Sequence, residues 1–271
     1  MNRLCTIIAI TSLLTTTGES FAQQTSSPRG AVVVTANQDG RIDSFQQIFD
    51  ITTKNYAPMS KECELFGERV VGTAYVIKKS DKRLELMFRH IQADGIAYAE
   101  HDIIVVYQPE VERMRALIRR AVQTPGTNEA EFARYASSPI VPTSIDSIVT
   151  DRLIHEYGHL FFRKKEAALG VIAKSDMEEE YFVRATELIY SNNPNYSFLD
   201  NILQYMQETP YAEYLINNAG RTLNRDLTFH KNFPTEKEIR KIGWALILNH
   251  PTYRKMIPEK TIKNVTSSLS R

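Results

Sequence analysis

Two histidines four residues apart, His155 and His159, with Glu156 between them, lie inside a run from Ile145 to Lys165 that has the spacing of one continuous helix. Thr143-Ser144-Ile145-Asp146 carries a helix-start signature just ahead of it. Ile148, Arg152, His155, His159 and Phe162 fall on one stripe, so both imidazoles face whatever that helix packs against. This limits the fold more than any other feature, because polar rings turned inward need a partner. Residues four apart sit nearly above one another on a helix, so both rings can close on one metal ion, while Glu156, about 100° around the axis, reaches a water held there.

The rest of the chain predicts an α+β fold with a small N-terminal sheet and a mainly helical remainder. Thr73–Ile77, Leu84–Phe88 and Ile103–Tyr107 are β-branched or aromatic runs separated by turn-forming residues, and they read as strands. Pro109–Val122 switches to helical spacing, with Arg113, Arg115, Arg119 and Arg120 on or beside it and Arg134 just beyond. Those arginines read as a solvated helix face, with an anion clamp as the alternative. Residues 124–142 allow a loop or short helix, and helical patterns recur at Phe198–Met206, Ala212–Ile216 and Glu236–Leu248. The expected organisation is a signal segment over 1–22, a flexible lead-in over 23–50, and one domain over 51–271 whose sheet-bearing half (51–142) precedes a helical half (143–271).

Export is expected from the first residues. Arg3 precedes an apolar run from Ile7 to Leu14, and Ser20-Phe21-Ala22 ends in a small residue, the pattern of a secretory signal cleaved near Ala22. The apolar run is short of the roughly 20 residues that span a bilayer, so no stable membrane insertion is expected and the mature chain is expected to be secreted or periplasmic. With 33 basic and 32 acidic residues the formal net charge is +1, which offers no field that would favour nucleic acid. Cys5 falls in the signal, leaving Cys63 as a small unreactive residue with no disulfide partner.

A catalytic zinc takes three protein ligands and keeps one position open. The acidic run Glu178-Glu179-Glu180 opens another helical stretch, Asp176 to Tyr190, and supplies candidates for the third. On His155-Glu156-Tyr157-Gly158-His159 and this following acidic helix, the chain resembles the zincin metallopeptidases, and among them the gluzincins, whose third ligand is a glutamate on a later helix. The metzincin continuation is absent, since Phe162 and Lys165 stand where it requires glycine and histidine. In thermolysin-like gluzincins nineteen residues separate the second histidine from the glutamate, which here points to Glu179, with Glu178 and Glu180 as alternatives. The family's E-x-x-A-D pattern is not kept: Val183 stands where the aspartate belongs.

The resemblance implies a zinc-dependent peptidase acting on peptide or protein substrates, with Zn2+ held by His155, His159 and Glu179 and a zinc-bound water activated by Glu156 as general base. It also implies an oxyanion donor from the C-terminal part, for which Tyr190, Tyr211, Tyr214, His230 and His250 are candidates. His90 and His101 read as structural or exposed. Two other readings keep the same residues: a zinc amidase of narrow specificity, and a secreted binding or scaffold protein in which the motif is vestigial.

Overall fold

The computed structural model describes residues 41–136, 138–170, 176–204, 209–224 and 233–269. The signal segment and residues 23–40 of the expected lead-in lie outside them. Residues 41–50, expected as part of the flexible lead-in, instead belong to helix α1 (Arg41–Asn55), because Ile48 is fully buried against the sheet.

After α1 come β1 (Met59–Leu65), β2 (Glu68–Ile77), α2 (Lys82–Ile91), β3 (Gly95–Tyr98), β4 (Ile103–Tyr107), α3 (Gln108–Gln123) and α4 (Asn128–Tyr135). The helical half follows: α5 (Ile145–Leu169), α6 (Asp176–Tyr190), α7 (Pro194–Gln204), α8 (Thr209–Leu223), α9 (Glu236–Asn249), α10 (Pro251–Met256) and α11 (Glu259–Leu269). The architecture is α+β, with a four-stranded mixed sheet in the order β1-β2-β4-β3. β2 and β4 run parallel, while β1 and β3 pair antiparallel at the two edges.

Strand periodicity divides the side chains between two faces. Val70, Ala74, Ile104 and Val106 point toward α5 and the helical half. Tyr75, Ile77, Val105 and Tyr107 point the other way and are covered by α1 and α2. The segment Leu84–Phe88, expected as a strand, is the middle of α2. Asp81 caps that helix by accepting from the Arg83 and Leu84 N–H groups, and Leu84, Phe88 and Ile91 bury one helical face. Phe88 stacks on Tyr107 at 5.0 Å.

Helix α5 is buried on nearly every side through its middle, because the sheet lies on one flank and α6 on the other. The approach is close in both directions. A β-carbon on Gly72 of β2 would lie 2.9 Å from Leu160, and one on Gly158 would lie 3.1 Å from Val183 of α6. Gly158 therefore lets the two helices come together at the turn that carries His155 and His159. The β1–β2 turn reaches the same core: Phe66, at φ 56°, is fully buried and meets Phe161, Phe182, Tyr190 and Trp244 edge-on or tilted.

Candidate metal centre

The stripe of α5 that carries the two histidines faces α6. His155 Nε2 lies 3.6 Å from Glu180 Oε1, and His159 Nε2 lies 3.4 Å from Glu180 Oε2. One potential ligand atom from each of His155, His159 and Glu180 falls within 4.8 Å of the others. The rings themselves are 5.1 Å apart at 71°. His155 is buried, whereas the side chains of His159 and Glu180 keep about a fifth of their surface, so the cluster opens on that side.

The other nitrogen of each ring is taken by a different carboxylate. His155 Nδ1 is 3.2 Å from Glu187 Oε2, and His159 Nδ1 is 2.9 Å from Glu179 Oε1. Glu179 was expected as the third ligand; the structure instead sets it behind His159, with its second oxygen paired to Arg163. Glu180 is the carboxylate on the face the two Nε2 atoms share. Neighbouring residues on a helix point about 100° apart, so the crossing of α6 over α5 lets only one of them enter the cluster. Glu178 turns away: its Oε1 lies 3.6 Å from His250 Nε2, and its carbonyl accepts from the Tyr253 hydroxyl at 2.5 Å.

Glu156 is 4 % exposed and lies against the start of β3, where a β-carbon on Gly95 would come within 2.5 Å of Oε1. Burial pushes its carboxyl up to about 8, with Asp94 and Glu180 adding repulsion against the pull of His159. Burial and the nearby Arg184 guanidinium lower His155. Burial opposes protonation of His159, but Glu179 and Glu180 hold it well above the usual imidazole range.

A group of buried charges stands behind the cluster. Arg152 Nε is 2.9 Å from Asp94 Oδ2, its Nη1 is 3.6 Å from Glu187 Oε1, and its Nη2 pairs with Asp200 Oδ2. Arg184 joins Glu180 at 2.8 Å and Glu187 at 3.5 Å. Although burial opposes ionisation, Arg152, His155 and Arg184 hold the Glu187 carboxyl down to about 2. Arg184 and both histidines likewise hold Glu180 well below the carboxylate range.

The remaining candidates sit elsewhere. Tyr190 uses its hydroxyl to accept the Phe66 N–H at 2.7 Å, a link between sheet and helices. Tyr214 stacks on Tyr181 at 5.5 Å and shares with Arg221 and His250 an open groove of about 420 Å³. The Tyr211 side chain and His230 lie outside the described residues. His90 and His101 are exposed, His101 resting on Phe49 at 4.9 Å. Arg115 donates to the Pro142 and Thr143 carbonyls, and Arg119, Arg120 and Arg134 are exposed, so they form no common clamp.

Glu187, Arg184, Asp94 and Asp200 were not singled out from the sequence. A signal for two of them was present: Glu180, Arg184 and Glu187 recur at i, i+4 and i+7, a charged stripe on a helix whose other positions are largely apolar. Among the described residues, no helix is long and apolar enough to cross a membrane. Comparison with known proteins identifies no relative, since no family model, curated protein or solved structure matches the chain.

Proposed function

We propose that this chain is a zinc-dependent peptidase of gluzincin-like character, with His155, His159 and Glu180 as metal ligands and Glu156 as general base. The observation that carries the reading is the convergence of both Nε2 atoms on Glu180 while Glu187 and Glu179 take the two Nδ1 atoms. Carboxylates on Nδ1 fix the tautomer and ring direction that a metal-binding Nε2 needs. Two imidazoles and one carboxylate are a donor set that suits a catalytic zinc, which takes three protein ligands.

Zinc, when bound, supplies a Lewis acid that polarises a carbonyl and acidifies a water. Glu156 would serve as general base toward the attacking water and as general acid toward the leaving amine. Gly95 keeps the space beside Glu156 free of any side chain. A peptide substrate is favoured by the same neighbourhood: among the described residues β3 pairs only with β4, and its half-buried end at Ala97–Tyr98 leaves a strand edge that an extended chain would join. The pattern of residues 1–22 supports export with cleavage near Ala22, to the periplasm or the medium.

The test begins with elemental analysis of protein purified without added metal, where one zinc per chain is expected. Glu156→Gln should retain that zinc and lose about 10²–10⁴-fold in casein or peptide-library hydrolysis. His155→Ala and His159→Ala should lose both. Protein without stoichiometric zinc, its fold unchanged by a chelator, would overturn the proposal in favour of a binding or scaffold protein. Zinc without peptide cleavage would point to an amidase of narrow specificity.

A further inference from the structure

Arg152 lies one helical turn before His155, is 2 % exposed, and meets three carboxylates from three different parts of the chain. Asp94 comes from the residue just before β3, Glu187 from α6 and Asp200 from α7. Asp200 is fully buried and Glu187 nearly so. Such a cluster is weak support for stability alone, because desolvating several ions offsets most of what their attraction returns. Its geometry is more informative. Glu187 turns Oε1 toward Arg152 and Oε2 toward His155 Nδ1 and Arg184, so the Arg152 guanidinium pulls on the oxygen opposite the one that meets the ring. Asp94 immediately precedes Gly95, whose α-carbon forms the floor beneath Glu156.

We infer that Arg152 is a positioning residue that holds the His155 ring through Glu187 and the Gly95 floor beneath Glu156 through Asp94, setting the metal ligand and the base relative to one another. The inference rests on the proposed metal site. Arginine suits the task because its planar fork can serve several carboxylates along different directions at once. Lysine in its place keeps the charge but concentrates it at one point, so it leaves at least one of the three carboxylates without its ion pair.

The experiment compares the full chain with Arg152→Lys and Asp94→Asn. Metal-free protein is titrated with zinc against a chromophoric chelator, the visible absorption of the cobalt-substituted form is recorded, and near-UV circular dichroism confirms folding. Arg152→Lys is expected to fold, bind zinc about 10–100-fold more weakly and show an altered cobalt spectrum. Asp94→Asn cuts only the strand limb, so it is expected to bind zinc like the parent while kcat on a casein-derived fluorogenic peptide falls about tenfold with little change in KM.

A folded Arg152→Lys protein with parental zinc affinity and cobalt spectrum would overturn the inference. Should Arg152→Lys not fold, parental kcat in Asp94→Asn would overturn it equally. A parent chain that takes up no zinc is a separate result, which removes the metal-site reading and this inference with it.

Discussion

Gly95 lies so close to Glu156 that an added β-carbon would sit 2.5 Å from Oε1 and 3.0 Å from the carboxyl carbon. Neither atom belongs to a freely swinging surface chain, since Glu156 is buried in the middle of α5. Alanine at this position must displace the carboxylate or the strand. On the proposed zinc-peptidase reading, Gly95→Ala is expected to bind zinc like the parent yet lose at least about tenfold in peptide hydrolysis, because a displacement of about 1 Å is costly where geometry sets the rate. Parallel zinc analysis and turnover measurements check this, and unchanged turnover would mean that Glu156 does not act from its present position.

The three consecutive glutamates should separate in one assay. Glu180→Ala is expected to lose stoichiometric zinc, Glu179→Ala to bind about 10–100-fold more weakly by freeing the His159 ring, and Glu178→Ala to bind like the parent. Zinc affinity measured by chelator competition distinguishes the three roles. A greater loss in Glu179→Ala than in Glu180→Ala would exchange the assignments.

Tyr190→Phe removes the acceptor for the Phe66 N–H without changing the aromatic packing around it. Loss of one partner from a buried pair costs about 1–3 kcal/mol. Denaturant unfolding should register that destabilisation while zinc content stays at the parental value. A tyrosine needed for the chemistry would instead affect turnover at unchanged stability.

Cys63 of β1 offers a separate check on pH dependence. Burial, with a smaller contribution from Glu64, pushes its thiol up to about 11, so at pH 7 only ~10⁻⁴ of it is thiolate. Alkylation by iodoacetamide should therefore be slow at neutral pH and rise about tenfold per unit until the thiol titrates. A fast reaction at pH 7 would show that burial does not hold the thiol up.

Much of this arrangement was legible from spacing alone. The strand cores Thr73–Ile77 and Ile103–Tyr107 lie within or coincide with β2 and β4, and the helical reading of Asp176–Tyr190 matches α6 to the residue. Leu84–Phe88 misled because a short apolar run fits either period. The deciding signals were Asp81 as a cap and the continuation to Ile91, which completes one buried helical face. The two histidines and Glu156 were visible because a single helix carries them. That Glu180 rather than Glu179 faces both Nε2 atoms was not, since it depends on how α6 is rotated about its axis where it crosses α5. A spacing borrowed from another family fixes the count of residues but not that rotation. Arg152 was visible on the histidine stripe, yet Asp94, Glu187 and Asp200 are distant in sequence, and only the folded chain brings them to it.

The hairpin tip at Phe66 has a bearing on how the molecule is made. Its carbonyl accepts from the Thr261 hydroxyl, 195 positions further along, and its N–H is received by Tyr190. During synthesis the strands are finished long before either receiver exists, and the aromatic plug lacks part of its socket until α9, which carries Trp244, has emerged. Closure over so long a stretch is slow relative to local pairing. Chains halted before α6 would leave the Phe66 ring without Phe182, Tyr190 and Trp244 to cover it, an adhesive point for chaperones or for other unfinished copies.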